Sequence, residues 1–487
     1  MKLTELLKPW QITVSNDCDL QGGLSNDSRK IAAGDLFFAY PGAVSDARQY
    51  IAQALAAGAK VVLYDPANWP VNLSLPHPDK AVAVEHLSQR LAAIASRYYQ
   101  QPSEKMTITA VTGTNGKTTI AYQLAQAHAA LANPAAYIGT LGQGQPFALK
   151  ELANTTPDGL CLQQLFHQYA EKGIKQVCME VSSHALAQQR VDCIDFKQAI
   201  FTNLTLDHLD YHKTMANYAV AKAKLFAWPS LEYAIINQDD AYAAMMHAAV
   251  ASNCQRLTYG IKSVCDVRAL NWQIGMNGTS IELASPWGKQ HIQISALGFF
   301  NIYNALALFC SLMVTGYPVE QVVRVMSQLK PAPGRMERVA TNPCIIVDYA
   351  HTPDALQNAL ETLGKVKENR LITVFGCGGD RDKSKRPIMG KIAIDHADIA
   401  IMTSDNPRTE NPLQIMDDIA AGIVNTKSLY KIADRRQAIA KAIELAEPND
   451  IILIAGKGHE AYQQIGQIKH PFSDQDVARQ LLAANIT

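Results

Sequence analysis

Thr112-Gly113-Thr114-Asn115-Gly116-Lys117-Thr118-Thr119 lies between a β-branched run, Met106–Val111, and a stretch with helical spacing that opens near Thr118. Strand, glycine-rich turn and helix N-terminus in that order make a phosphate-binding loop. The glycines let backbone N–H groups approach an anion, and the helix start adds positive potential. Lys117 is placed to reach the β- and γ-phosphates of a nucleotide, and the Thr118 hydroxyl to meet Mg²⁺. Val111 stands where the common form of the motif has a further glycine. A strand feeding such a loop predicts an α/β domain with a largely parallel sheet.

The same alternation of short apolar runs and longer amphipathic stretches continues on both sides. Strands are expected at Gln176–Met179, Cys344–Val347, Leu371–Phe375, Ala397–Met402 and Ile451–Ile454. Two proline-rich segments, Gln101–Lys105 and Lys330–Arg335, break both helix and strand. They divide the 487 residues into 1–102, 103–330 and 331–487, in keeping with the usual size of domains. Strand order is not legible. The fold class is α/β in three domains.

Composition narrows the partners. Lys plus Arg number 44, as do Asp plus Glu, so no net basic field exists to hold nucleic acid or an anionic membrane. Any anionic ligand must be held by local donors. The segment Met1–Val14 has neither an apolar core nor a small-residue cleavage site, so no secretion signal is expected. Ala296–Gly316 is apolar enough to suggest a membrane span, but Asn301 and Asn304 interrupt it, and it reads as a buried helix. Nine scattered cysteines without a CxxC pair fit reduced thiols in the cytoplasm. Oligomeric state is not legible, and a monomer is the default expectation.

A second polar cluster follows the strand at 176–179. Glu180 ends the apolar run, and Val181-Ser182-Ser183-His184 follow it. A carboxylate at a strand end beside a phosphate loop is well placed to hold Mg²⁺. Further on, Asn203-Leu204-Thr205-Leu206-Asp207-His208-Leu209-Asp210-Tyr211-His212 offers two His and two Asp, a candidate second metal or phosphate site. Asn154-Thr155-Thr156, before Pro157-Asp158, reads locally as a helix-capping turn. Thr352-Pro353-Asp354 reads as an N-cap, a proline at the first helical position and an acid in the first turn, so His351 lies just before a helix.

These motifs, with Tyr218-Ala219-Val220-Ala221-Lys222, Gly298–Ala305, Gly334-Arg335-Met336-Glu337, Asp348–Pro353 and Gly456-Lys457-Gly458-His459-Glu460, resemble the Mur ligases along the whole chain. Asn26-Asp27-Ser28-Arg29 with Gly34-Asp35-Leu36-Phe37 is similar to the family's uridine-binding domain, and the likeness weakens at Ala43-Val44-Ser45. The resemblance implies an N-terminal nucleotide-sugar domain, a central P-loop ATPase domain and a C-terminal Rossmann-like domain. It implies an ATP- and Mg²⁺-dependent reaction in which the D-Glu carboxylate of UDP-MurNAc-L-Ala-D-Glu becomes an acyl phosphate that an incoming amine converts to an amide.

Site roles follow from the resemblance. Gly113 to Thr119, with Asn301, Arg335, Asp348 and His351, would hold ATP. Lys117, Glu180, His208 and Lys222 would carry the chemistry. Thr118, Glu180, His208 and a carbamylated Lys222 would be the Mg²⁺ ligands, since carbamylation turns a repelling ammonium into the hard oxygen anion Mg²⁺ prefers. Asn26, Ser28, Asn154, Thr155, Thr156, Ser182, Gln188 and Arg190 would hold the muramoyl peptide. Arg381, Asp405, Asn406, Pro407, Arg408, Gly456 and Glu460 would select the amino acid. Asp-Asn-Pro-Arg resembles members that add meso-diaminopimelate, whose distal carboxylate a guanidinium can pair with bidentately. A folate-polyglutamating ligase shares the ATPase plan but not the uridine domain or this motif. A nucleotide-dependent switch would leave the last two motifs without a task.

Overall fold

The computed structural model describes residues 1–42, 45–424 and 428–484. Ala43 and Val44, where the likeness to the uridine-binding domain weakens, lie outside the described residues. Among these residues the chain forms sheets of four, ten and six strands in succession, plus a two-stranded hairpin. The first sheet is parallel and ordered Leu24–Ser25, Leu36–Ala39, Val61–Tyr64, Ala81–Ala83.

The second sheet carries Thr107–Thr112 between Gln176–Glu180 and Phe196–Phe201. All three are parallel, with Val111 level with Glu180 and Thr112 level with Phe201. Their side chains are almost wholly buried on both faces, as near-continuous apolar runs in parallel strands require. One face packs under the helices Lys117–Ala130 and Phe299–Val314, the other under Gly159–Glu171 and Met215–Ala223. The apolar stretch at 296–316 is therefore core. No described helix is long and apolar enough to cross a membrane.

The third sheet runs Glu337–Thr341, Cys344–Asp348, Ile451–Ala455, Leu371–Phe375, Ile399–Met402, Leu429–Lys431, parallel except for its first strand. Its loops after Asp348, Phe375, Met402 and Ala455 thus leave the same edge. Open α/β sheets bind ligands at that edge, and the second sheet gathers its loops in the same way.

The first and second units meet through helix Leu87–Tyr98 against helix Gly159–Glu171. Gly159 makes this possible: a Cβ there would lie 2.6 Å from that of Ala92. Helix Gly159–Glu171 is capped by Asp158, whose carboxylate accepts from Cys161 N. The capping role read for Asn154-Thr155-Thr156 is therefore corrected. The helix begins after Asp158, four residues beyond Asn154, and Asp158 has the extended backbone of an N-cap.

Candidate active site

Gly113 and Gly116 both have positive φ, +153° and +89°. A Cβ at Gly113 would collide with Thr202 Oγ1, and one at Gly116 would lie 2.6 Å from Asn304 Oδ1. The loop is moored from the neighbouring strand end. Thr114 N donates to Asn203 O at 2.8 Å, Asn115 N to Asn203 Oδ1 at 2.9 Å, and Thr202 Oγ1 to Asn115 O at 2.6 Å. Lys117 Nζ folds over the loop and donates to the carbonyls of Gly113 and Thr114, both at 2.8 Å. Thr118 and Thr119 start the helix and are buried.

Glu180 is fully buried, and every contact on its carboxylate is a hydrogen-bond donor. Thr118 Oγ1 donates to Oε2 at 3.0 Å. Tyr137 Oη and Thr140 N donate to Oε1 at 2.5 and 2.9 Å, and Thr140 Oγ1 reaches Oε2 at 3.2 Å. Arg335 Nη2 donates to Thr118 Oγ1 at 3.1 Å. A carboxylate and a hydroxyl side by side beside a phosphate loop fit Mg²⁺, which takes its remaining ligands from phosphates and water. No described group of three His, Cys, Asp or Glu forms a self-sufficient metal cage.

Lys222 is 1% exposed and donates to the same Gly113 carbonyl at 2.8 Å, with its ammonium 4.7 Å from the centre of the Tyr218 ring. Burial first, then the charge of Lys117, holds it well below the ordinary lysine range. His208 has left-handed backbone, φ +55°, at the start of helix Leu209–His212. Its Nε2 lies 3.4 Å from Asp207, and its ring packs edge-on against His184 and Tyr218. Burial lowers its pKa to about 4, so the imidazole is neutral and free to ligate at neutral pH. Lys222 as an amine offers a second Mg²⁺ nothing; only an anionic form of that side chain fits one.

Residues of the third unit close over the phosphate loop. The Arg335 guanidinium lies 4.4 Å from the Tyr349 ring centre, and its Nε is buried without a partner. Asp348 accepts from Met336 N and Ala350 N, and burial raises its pKa. Burial, then Lys385, pushes His351 down to about 4, and Lys385 donates to the His351 carbonyl at 2.9 Å. Thr352 caps its helix as the sequence predicts. From that helix Asp354 accepts from Asn115 Nδ2 at 2.9 Å, joining the third unit to the phosphate loop. Asn301 is turned inward. Its amide serves Leu297 O and Asn304, and Asn304 is the asparagine beside Gly116.

The peptide-side residues fall in two places. Asn26 Nδ2 donates to Tyr40 Oη at 3.2 Å and Ser28 Oγ to Gln53 Oε1 at 3.2 Å, both in the first unit. In the second unit Thr156 Oγ1 donates to Glu180 O and accepts from Ser182 N, so it splints the strand end. Thr155 Oγ1 pairs with Thr140 Oγ1 at 3.1 Å, Arg190 Nη1 donates to Thr156 O, and Ser182 caps helix Ser183–Ala187. Gln188 Nε2 donates to Tyr211 Oη at 3.3 Å, and Asn154 is exposed.

The amino-acid motifs converge on the third sheet. Arg408 is half-buried and donates through Nη1 to Gly379 O at 2.7 Å. Asn406 Nδ2 donates to Glu460 Oε2 at 2.8 Å, and Gln464 N donates to Asn406 Oδ1 at 2.8 Å. Asp405 sits against Gly456, where a Cβ would come within 2.5 Å of its carboxylate. Pro407 is buried, and Arg381 is exposed and bonds the Asp380 carbonyl. Buried Arg386 ties this region together, donating to Glu410 at 2.9 and 3.0 Å and to Asp418 at 2.8 Å.

Sequence reasoning missed Tyr137, Thr140, Thr202, Asp354, Arg386 and Lys457. Asp354 and Lys457 lay within motifs read above without these contacts being foreseen, and Tyr137 carried a signal of its own, since a tyrosine within the apolar run Ala135–Gly139 must bury its hydroxyl on an acceptor.

Residues 22–99, 111–312 and 334–458 match, in order, the Mur ligase family, catalytic domain; the Mur ligase middle domain; and the Mur ligase, glutamate ligase domain. The UDP-N-acetylmuramoyl-L-alanyl-D-glutamate--2,6-diaminopimelate ligase of Chromobacterium violaceum is 44% identical over 466 residues, 94% of this chain and 93% of its own. The protein of the same name from Neisseria meningitidis serogroup A is 41% identical and covers 99% of both chains. A solved structure of a ligase with that name aligns over 100% of this chain and 99% of its own, with a TM-score of 0.71 at 36% identity. With three matched domains in order and such relatives over nearly its full length, the chain belongs to the Mur ligase family.

Proposed function

We propose that this ligase uses ATP to join meso-diaminopimelate to UDP-MurNAc-L-Ala-D-Glu in the cytoplasm, giving the UDP-linked tripeptide, ADP and phosphate. The observation that carries the reading is the Arg408–Asn406–Glu460 cluster on the third sheet, joined to the phosphate loop of the second by Asp354 and Arg335. Relatives named for the diaminopimelate reaction support the choice of amino acid. On this reading residues 1–102 hold the uridine end, 103–330 the ATP and 331–487 the amino acid.

The chemistry must bring two anions together, the D-Glu carboxylate and the γ-phosphate. Lys117 and Arg335 supply fixed positive charge, which stabilises the transferring phosphoryl group in a preorganised site. Mg²⁺, held by Thr118 and Glu180, would supply further neutralisation. Tyr137 and Thr140 keep the Glu180 carboxylate aimed by taking its spare lone pairs. Lys222 in its neutral form is the nucleophile that carbamylation needs, and the product would face His208. The amine of diaminopimelate then displaces phosphate from the acyl phosphate, and the amide forms.

The test is phosphate release measured with each substrate omitted in turn and with a panel of amino acids. Release that requires the UDP-linked dipeptide, and is fastest with meso-diaminopimelate, is the expected result. Release without the peptide, or equal rates across the panel, would overturn the reading.

A further inference from the structure

Lys457 is a buried cation in the amino-acid pocket, with its side chain 0% exposed. Its ammonium reaches Glu460 Oε2 at 3.1 Å and Asn406 Oδ1 at 3.3 Å, and lies 5.4 Å from the Tyr462 ring centre. Asn406 Nδ2 donates to the same Glu460 oxygen. One carboxylate of the pocket is therefore matched by a full positive charge from the protein itself.

The surrounding charges sharpen the point. Arg435 is closed off in a bidentate pair with Asp474, both fully buried. Asp405 Oδ1 accepts from Asn406 N, and Asp380 accepts from Thr409. Arg408 and Arg381 instead give hydrogen bonds to the neutral carbonyls of Gly379 and Asp380. Counted together, Lys457, Arg408 and Arg381 balance Glu460, Asp405 and Asp380, so with Lys457 in place the pocket has no surplus negative charge to receive a further ammonium.

We propose that Lys457 determines specificity by neutralising Glu460, so that the pocket refuses a side chain bearing an ammonium alone and accepts one bearing an ammonium and a carboxylate together. Glu460 can still accept a hydrogen bond from a ligand amine. It cannot offset a net positive charge, because Lys457 has already used it, and like charges brought together are costly. A distal zwitterion brings its own carboxylate to Arg408 and adds no net charge. The inference rests on the diaminopimelate reading.

The experiment compares kcat/KM for meso-diaminopimelate and L-lysine in wild type, Lys457→Met and Lys457→Arg, with KM for ATP as a control. Lys457→Met is expected to shrink the discrimination by about tenfold or more, mainly through a lower KM for lysine, with KM for ATP unmoved. Lys457→Arg should retain the wild-type ratio. A folded Lys457→Met variant that keeps the full ratio, or a Lys457→Arg variant that loses as much as the methionine one, overturns the proposal. Wild type alone gives a second reading if the variants do not fold. 2-Aminopimelate, which has the distal carboxylate without the amine, should be a better substrate than lysine, and the reverse order overturns the proposal. Failure of wild type to use diaminopimelate at all would sink the functional reading instead, so the two outcomes are distinct.

Discussion

Lys117 and Lys222 donate to one and the same atom. Each ammonium lies 2.8 Å from the carbonyl oxygen of Gly113, although the residues are 105 positions apart and come from different helices. Burial is the largest cause holding both lysines below their ordinary range; the charge of Lys117 adds to it for Lys222, and that of Arg335 for Lys117. Their roles separate on mutation. Lys117→Ala should leave the fold intact and cut ligation by about 10²-fold or more, because a contact to the transferring phosphoryl group is lost. Ligation within a tenth of wild type would remove Lys117 from the ATP site.

Lys222→Ala should also lose most activity, but for a different reason, and short carboxylates added to the assay should restore part of it. They supply the anionic oxygen that a carbamate would provide. The same carboxylates should not rescue Lys117→Ala. A fully active Lys222→Ala variant would reduce Lys222 to a packing residue.

On the proposed reading, Arg408 pairs with the distal carboxylate that diaminopimelate has and lysine lacks. Leaving a charged partner unmatched typically costs about 2–5 kcal/mol. Because Arg408 retains Gly379 O as an acceptor, the low end applies, a preference of roughly 30-fold. Arg408→Ala should lower the ratio of specificity constants by weakening diaminopimelate, with little gain for lysine. An unchanged ratio in the variant would show that another group reads the carboxylate.

Arg386 joins the two loops that carry Arg381 and Arg408. Its guanidinium, wholly enclosed, binds Glu410, Asp418 and the Gly378 carbonyl. Arg386→Met should cost about 3 kcal/mol, the range for breaking one side of an enclosed ion pair, and raise KM for the amino acid more than KM for ATP. Denaturant unfolding and separate KM measurements check both parts. Equal stability would mean that Lys383, the other partner of Glu410, suffices.

His128 gives the fold an acid sensitivity unconnected with catalysis. Burial lowers its pKa to about 4, and its Nδ1 pairs with Tyr317 Oη at 2.9 Å. Between about pH 4 and the ordinary histidine value near 6.5, the unfolded chain takes up a proton that the folded chain refuses. Its contribution is therefore complete above 6.5 and is lost as pH falls, by about 1.4 kcal/mol per pH unit. His128→Leu should flatten that slope, read as unfolding midpoints at pH 7.5, 6 and 5. Parallel curves for variant and wild type would contradict it.

Local rules made some of the site legible and not the rest. Gly113 and Gly116 announce themselves because only glycine accepts their backbone and their neighbours' approach. Glu180 is legible because a carboxylate ending an apolar strand must have a partner. The cap at Thr352 is read from three adjacent residues. Illegible were the moorings made across the sheet. Asn203 holds the phosphate loop from 88 residues away, and Tyr137 meets Glu180 across a strand order that sequence does not reveal. Lys457 stood in a recognised motif, yet only its burial against Asn406 and Glu460 separates it from a solvated lysine. Asn301 and Asn304 are one helical turn apart, and which of them faces the loop depends on a helix phase that the apolar run Phe299–Val314 leaves open.

The seam at Gly159 and Ala92 has a mechanical meaning. Two helices packed without room for a methyl group resist sliding past one another, and on the proposed reading this seam sets the reach from Ser28 to Glu180. On the proposed reading, a substrate anchored by its uridine end can place its carboxylate at the phosphate loop only if its stem has the right number of bonds. The enzyme then gauges how far a precursor has already been extended by length, as a caliper does, before any side chain inspects its chemistry.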